Sequence, residues 1–278
     1  MSAVPPAPWT LDSIPGTLPA TDMRVFDWLL SYQSRFYTAG DLLELGAHLG
    51  RSAVLMARHL REEERFTVCD LFPAEPGAQP VRGLFETNYL AFHEALPVIV
   101  EGPSSAIRDH VKPASCRFVH IDASKRYEDV TEDLTSARDL IVPDGIVAVD
   151  GYRDEDAPGV AAAVWEACSA RGLRPICLTP QKFYGTWGDP GPVQEQLAAW
   201  LAERADEWAT SEERVCGHRV LRVAPRADAG EEERRDTKPL PEIVPGAPAW
   251  TSKRTGRKGR RVRRMLKLLF PSRMRKLR

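Results

Sequence analysis

A chain of 278 residues, 43% apolar and 28% charged, has the composition of a soluble globular protein, with room for one large domain or one domain with appendages. Its five cysteines, Cys69, Cys116, Cys168, Cys177 and Cys216, are scattered with no CxxC pair, which argues against a zinc site and a disulfide framework and suits a reducing cytoplasm. The net charge of -1 hides an asymmetry: residues 253–278 hold thirteen Lys or Arg and no acid, leaving 25 basic against 39 acidic residues, a formal charge of -14, in the rest.

The first residues, MSAVPPAPWTLDSIPG, have neither a basic nor an apolar region of the signal-peptide kind, and no run approaches the length of a membrane span. Residues 1–21, rich in proline and small side chains, read as an extended leader. Thr21 or Asp22 is suited to cap a helix over 23–37 with Val25, Trp28, Leu29 and Tyr32 on one face, packed on the domain or over a ligand mouth. A short apolar strand over 42–45 then enters the turn Gly46-Ala47-His48-Leu49-Gly50, and a helix runs to about Leu60. Strands follow at RFTVCDLF, PVIVEG, CRFVHIDAS, IVAVDGY and LRPICLTP, separated by helices such as LFETNYLAFHEA, YEDVTEDLTSARDLI and VAAAVWEACSARG. A helical region over 191–208 and a closing strand, HRVLRVA, complete a domain over 22–225. Residues 226–252 are polar, proline-rich and aperiodic, and read as a disordered linker to a basic tail over 253–278.

Strands alternating with helices of ten to fifteen residues predict a Rossmann-like, doubly wound α/β fold: a mostly parallel, seven-stranded sheet with an antiparallel last strand. Ligands of such sheets sit outside the C-terminal strand ends. Glu44, Asp70, Glu101, Asp122 and Asp150 all fall at such ends, five acids at one rim. The glycines at 46 and 50 let backbone approach a ligand, and the helix that follows offers free N–H groups. The spacing Glu44-x-Gly46-x-x-x-Gly50 lacks the middle glycine of GxGxxG. An acid before the turn would repel a pyrophosphate and attract a cationic amino-acid end or a sulfonium.

On these residues, with Asp70 ending the next strand 24 residues after Gly46, the chain resembles class I S-adenosylmethionine-dependent methyltransferases over roughly 22–225. FVHIDASKRYEDVTEDL, PDGIVAVDGY and the PGV before a helix are similar to the bacterial sugar and natural-product O-methyltransferase group that includes macrocin O-methyltransferase. Asp122-Ala123-Ser124-Lys125 also resembles the Asp-x-x-Lys of catechol and caffeoyl-CoA O-methyltransferases. The resemblance implies S-adenosyl-L-methionine as cofactor, with Glu44, Gly46, His48, Gly50, Ser52, Asp70, Ser104, Ser105 and Asp122 around it. It implies catalytic roles for Lys125 and Asp122, and Mg²⁺ on Asp122 and Asp150.

The chain departs from both patterns. Gly151, at the second ligand position after strand five, has no side chain to coordinate, and Ser124 stands where the sugar-methylating group often has an acidic base. With two carboxylates plus a substrate oxygen a cation is still conceivable, since Mg²⁺ keeps several waters. Beside that cation Lys125 would have a depressed pKa and serve as base. Without it, Asp122 and Asp150 would hold Lys125 as an ammonium and spoil it as a base. Tyr127, Tyr152, Tyr184 and Trp187 are candidates to line an acceptor pocket or to serve only as packing.

The expected activity is therefore O-methylation of a hydroxyl on a small molecule or sugar, cation-assisted or not. The alternatives are a degenerate scaffold that binds the cofactor without turning it over and, third, an NAD-dependent oxidoreductase. In the tail, Val262, Met265, Leu266, Leu269 and Phe270 share one helical face among Lys and Arg, which suits an anionic membrane surface. Nucleic acid and a solvated disordered tail are the rivals. The expected location is the cytoplasm, peripheral at the inner membrane face, with a homo-oligomer as a further expectation.

Overall fold

The computed structural model describes residues 10–36, 38–73 and 80–226. Apolar alternation and β-branched runs build β1 (Asp41–Leu45), β2 (Phe66–Asp70), β3 (Val98–Glu101), β4 (Cys116–Ile121) and β5 (Ile141–Asp150). These five lie parallel in the order β3-β2-β1-β4-β5, with α2 (Arg51–Ala57), α3 (Val81–Leu90) and α4 (Tyr127–Leu140) among their connections. The chain reverses direction across the sheet between β1 and β4, and the crevice at their C-terminal ends is where such a sheet holds a ligand.

Past α5 (Pro158–Ala170) the sheet becomes mixed. β6 (Arg174–Leu178) turns into β7 (Lys182–Thr186), and β7 inserts antiparallel between β5 and β6. After α6 (Gly191–Ala202), the antiparallel hairpin β8 (Trp208–Val215) and β9 (His218–Pro225) extends the sheet beside β6. The sheet thus has nine strands among the described residues, where the sequence suggests seven. The antiparallel member next to β5 is β7, where the sequence marks no strand, and the closing strand HRVLRVA lies between β6 and the edge strand β8 instead. Trp208, expected to end a helix, begins β8, whose residues 209–214 are all exposed; an edge strand with polar groups on both faces carries no period-two signal.

Side chains alternate between two cores, one on each sheet face. Leu42, Phe118, Ile146 and Ala148 join the core that includes Val25, Phe26 and Leu29 of α1 (Ala20–Arg35), whereas Leu43, Leu45, Val119, Val147 and Val149 join the other. By the same alternation Glu44, His120 and Asp150 stand on the α1 face. Register brings them closer still, since Glu44 pairs with His120 across β1–β4 and Asp150 pairs with Lys182 across β5–β7. This alignment founds the site.

Two expectations at the N-terminus change. Leu11, Ile14 and Leu18 are buried in the α1-side core, with a 3-10 turn at Leu11–Ser13, so residues 10–19 pack on the domain instead of leading up to it as an extended segment. α1 begins at Ala20, before the proposed caps, and Asp22 lies inside its first turn, fully buried. The Asp22 carboxylate accepts bonds from the Thr179 and Tyr184 hydroxyls, not from helix-end N–H groups, because the sheet offers it partners at the top of β6 and β7. No helix among the described residues is long and apolar enough to cross a membrane. The linker and the basic tail lie outside the described residues.

Candidate active site

At the C-terminal ends of β1, β2 and β4 a cavity of about 820 Å³ opens, within the range of small-molecule sites. Its wall includes the glycine turn from Gly46 to Leu49, Ser52, Asp70, Leu71, Ser104, Ser105, Asp122 and Lys182, and residues 15–18 close one side. The Arg51 side chain holds that last segment by donating to the Gly16 carbonyl (2.9 Å) and pairing with Asp12.

Gly46 is required by its surroundings. Its φ is +87°, and a Cβ would stand 2.2 Å from the Asp122 carbonyl oxygen and 2.7 Å from the Ala123 nitrogen. Both sides of the contact are pinned, since Gly46 N donates to Cys69 O (2.8 Å) and Asp122 N donates to Leu45 O (2.7 Å). Gly50 (φ +93°) lets the Phe85 ring pack against the turn. Asp70 organises the same turn: Oδ2 accepts the N–H groups of Ala47 and His48 at 2.8 Å each, and Oδ1 accepts that of Phe72 at 2.7 Å. Roughly one of its four or so lone-pair sites remains for a ligand hydroxyl. The His48 side chain is exposed at the cavity wall.

Glu44 lies beneath this turn and is fully buried. Its Oε1 is 2.8 Å from His120 Nδ1, while Oε2 has no partner in good hydrogen-bond geometry, although the Ser52 hydroxyl is near enough to favour the carboxylate. Burial raises the carboxyl to about 8, so Glu44 carries a proton at neutral pH. His120 is held neutral, first by burial and next by the Lys182 ammonium. Lys182 Nζ lies 3.0 Å from His120 Nε2 and donates to it, which leaves Nδ1 as the donor toward Glu44.

From Lys182 the network continues to the Asp150 carboxylate, and from Asp150 to Lys125. Lys125 Nζ donates to Asp122 Oδ1 (2.7 Å), Asp150 Oδ2 (3.2 Å) and the Asp150 carbonyl (3.4 Å). Burial works against the ammonium of Lys125, but Asp122 and Asp150 outweigh it and raise its pKa. Burial likewise opposes ionisation of Asp150; Lys182 and Lys125 overcome it and lower that carboxyl, while the carboxyl of Asp122 is raised, chiefly by burial. Lys182 and His120 both belong to this chain of contacts, and the sequence signals neither, because the partners lie 62 and 76 residues apart.

Of the expected site residues, Gly46, His48, Ser52, Asp70, Ser104, Ser105 and Asp122 come together at the cavity. Glu44 and Gly50 support its floor and turn. Glu101 does not join them; its carboxylate pairs with Arg82 at 2.6 Å on the surface. Of the four aromatic candidates for an acceptor pocket, none lines this cavity. Tyr152 donates to Thr179 O (3.2 Å), Tyr184 reaches Asp22, and Tyr127 pairs with Glu166.

Two expectations are corrected. Lys125 is a charged ammonium with its donors turned to two carboxylates and a carbonyl, so it is no base in this arrangement. The Mg²⁺ site on Asp122 and Asp150 does not fit either: the space between the two carboxylates holds Nζ of Lys125, and no group of three His, Cys, Asp or Glu converges there or elsewhere among the described residues. An S-adenosyl group, in contrast, matches the site. Glu44, buried just before the Gly46 turn, keeps one oxygen without a donor, and the cavity has the volume and the hydroxyls for a nucleoside.

Residues 43–152 match a family described as a methyltransferase domain. Among solved structures, the cofactor-bound Rv0187 from MTB superposes with a TM-score of 0.50 at 17% identity, covering 64% of this chain and 87% of that one. A protein from Klebsiella pneumoniae named as a candidate O-methyltransferase gives a TM-score of 0.50 at 19% identity, over 67% of this chain and 93% of that one. CalS11, a TDP-rhamnose 3'-O-methyltransferase of calicheamicin biosynthesis, is 22% identical over 61% of this chain and 80% of its own, with a TM-score of 0.47. No curated protein matches.

Proposed function

We propose that the chain, whose residues 43–152 match a family described as a methyltransferase domain, transfers a methyl group from S-adenosylmethionine to a hydroxyl on a small molecule or sugar. The observation that supports the reading is the convergence of the Gly46 turn, Ser52, Asp70, Ser104, Ser105 and Asp122 on one nucleoside-sized cavity, with the buried Glu44 two residues before Gly46 keeping one oxygen without a donor. Glu44 and Ser52 face the amino-acid end, Asp70 the ribose hydroxyls, and Ser104 and Ser105 the base. The cofactor, when bound, supplies a methyl group on a sulfonium, a leaving group that needs little help. What remains for the protein is alignment and removal of the acceptor's proton.

Asp122 is the group placed to take that proton. It borders the cavity, and burial raises its carboxyl above the ordinary range, which makes it a stronger base than a solvated carboxylate. Lys125 fixes its orientation at 2.7 Å, a positioning role. Transfer of a labelled methyl group to a panel of hydroxylated small molecules and sugars, with and without EDTA, tests the reading. Asp122→Asn is expected to lower kcat by about a hundredfold while leaving affinity for S-adenosylhomocysteine nearly unchanged. Cofactor binding with no transfer to any acceptor would overturn the catalytic reading and leave that of a cofactor-binding scaffold.

A further inference from the structure

The crevice has an acid at the end of β4, an acid at the end of β5 and a glycine directly after it, the outline of a divalent-cation site that has lost a ligand. The lost ligand and Lys125 are one arrangement. Gly151 has φ +77°, and a Cβ there would stand 3.3 Å from Nζ, 3.4 Å from Cε and 3.5 Å from Cδ of Lys125. The side chain of Lys125 therefore lies along the bare backbone of Gly151, where a Cβ would press on the end of the lysine and a longer side chain would compete with it for the same space. The loop is fixed from behind as well: Gly151 N donates to Gln181 O (3.0 Å), and Gly159 of α5 leaves room for the Lys125 carbonyl and the Tyr127 backbone.

Charge points the same way. Nζ of Lys125 is within 3.2 Å of an oxygen from each carboxylate, and the second ammonium, Lys182, reaches the other oxygen of Asp150. A divalent ion between Asp122 and Asp150 would meet one ammonium in its own position and a second one across Asp150, and among the described residues no third His, Cys, Asp or Glu converges there to help hold it. Two lysines thus neutralise the two acids that a metal would otherwise neutralise. Lys182 uses two of its three N–H bonds, on Asp150 and His120, and borders the cavity with the third unspent.

We propose that Lys125 is a built-in counter-cation: its ammonium, admitted by the side-chain-free Gly151, permanently takes the position of a divalent metal between Asp122 and Asp150, so the site is organised without one. The proposal deepens the methyltransferase reading by stating how its acceptor side is charged, yet its test does not depend on turnover. Mn²⁺ binding is followed by electron paramagnetic resonance on the full-length protein, with S-adenosylhomocysteine binding measured in parallel on each sample.

The wild-type protein is expected to show no site for Mn²⁺ at millimolar concentration. Lys125→Ala, which uncovers both carboxylates, and the double variant Lys125→Ala with Gly151→Asp, which adds the third, are each expected to bind Mn²⁺ at least about tenfold more tightly than wild type. Aspartate tolerates a left-handed backbone better than most residues, and the single variant avoids position 151 altogether should the double one misfold. Tight Mn²⁺ binding by the wild-type protein, or no gain in Lys125→Ala, would overturn the proposal. Retained binding of S-adenosylhomocysteine in that case would show that the cofactor reading survives it.

Discussion

Replacing Glu44 with Gln is expected to flatten the stability curve between pH 4.5 and about 8. Burial raises the Glu44 carboxyl from its ordinary 4.5 to about 8 in the folded chain. A group whose folded pKa lies above its unfolded value keeps its proton on folding, so its contribution is complete below pH 4.5 and is lost as pH rises through about 8. That interval corresponds to about 4–5 kcal/mol. Gln keeps the shape of the side chain and still accepts the His120 Nδ1–H bond, but has no proton to lose. The two proteins should therefore unfold at similar temperatures at pH 5. At pH 9 Glu44→Gln should be the more stable, by roughly 2–4 °C for each kcal/mol recovered. Every other titrating group is common to both proteins, so thermal melts across that range isolate the one carboxyl. Parallel curves for wild type and variant would show that Glu44 is ionised in the folded state.

Gly46→Ala is expected to be the most damaging small substitution in the domain. Alanine at φ +87° is strained by roughly 1–2 kcal/mol, and its Cβ would also fall 2.2 Å from a carbonyl oxygen and 2.5 Å from the carbonyl carbon of Asp122. That neighbour is backbone held by its own hydrogen bond to Leu45, so it has no cheap way to move. The combined effect should exceed about 4 kcal/mol, enough to lower the melting temperature by ten degrees or more, and to abolish the cofactor cavity in whatever still folds. Gly102→Ala is the control, since a Cβ there meets nothing within 4 Å. It should melt within about 2 °C of wild type, the range expected of a surface substitution. A Gly46→Ala protein as stable as Gly102→Ala would mean that the turn is not packed against Asp122.

Half of the site was legible in the sequence because it is local. Glu44, Gly46 and Gly50 are one strand-to-helix turn, and Asp70 ends the next strand, so motif and period together locate them. Parallel strands and strand-end acids follow from the same alternation. The other half is carried by register. Lys182 opens a five-residue strand that follows Pro180 and contains Gly185, so it carries little strand signal; only its pairing with Asp150 shows that it is buried in a carboxylate network. His120 looks like an ordinary core residue until β4 is laid beside Glu44. Asp22 reads as a helix cap for the same reason, its true partners being more than 150 residues away. The missing ligand at Gly151 was visible as an absence. What fills the space, the side chain of Lys125, became visible only in three dimensions.

The central claim is that the cavity beneath residues 15–18 is a cradle for S-adenosylmethionine and not for a dinucleotide. Calorimetric titration of the full chain with S-adenosylhomocysteine, and separately with NAD, tests it most directly. Saturable heat at one equivalent of S-adenosylhomocysteine, and none with NAD, is the predicted result. Binding of NAD, or no binding of S-adenosylhomocysteine, would contradict it.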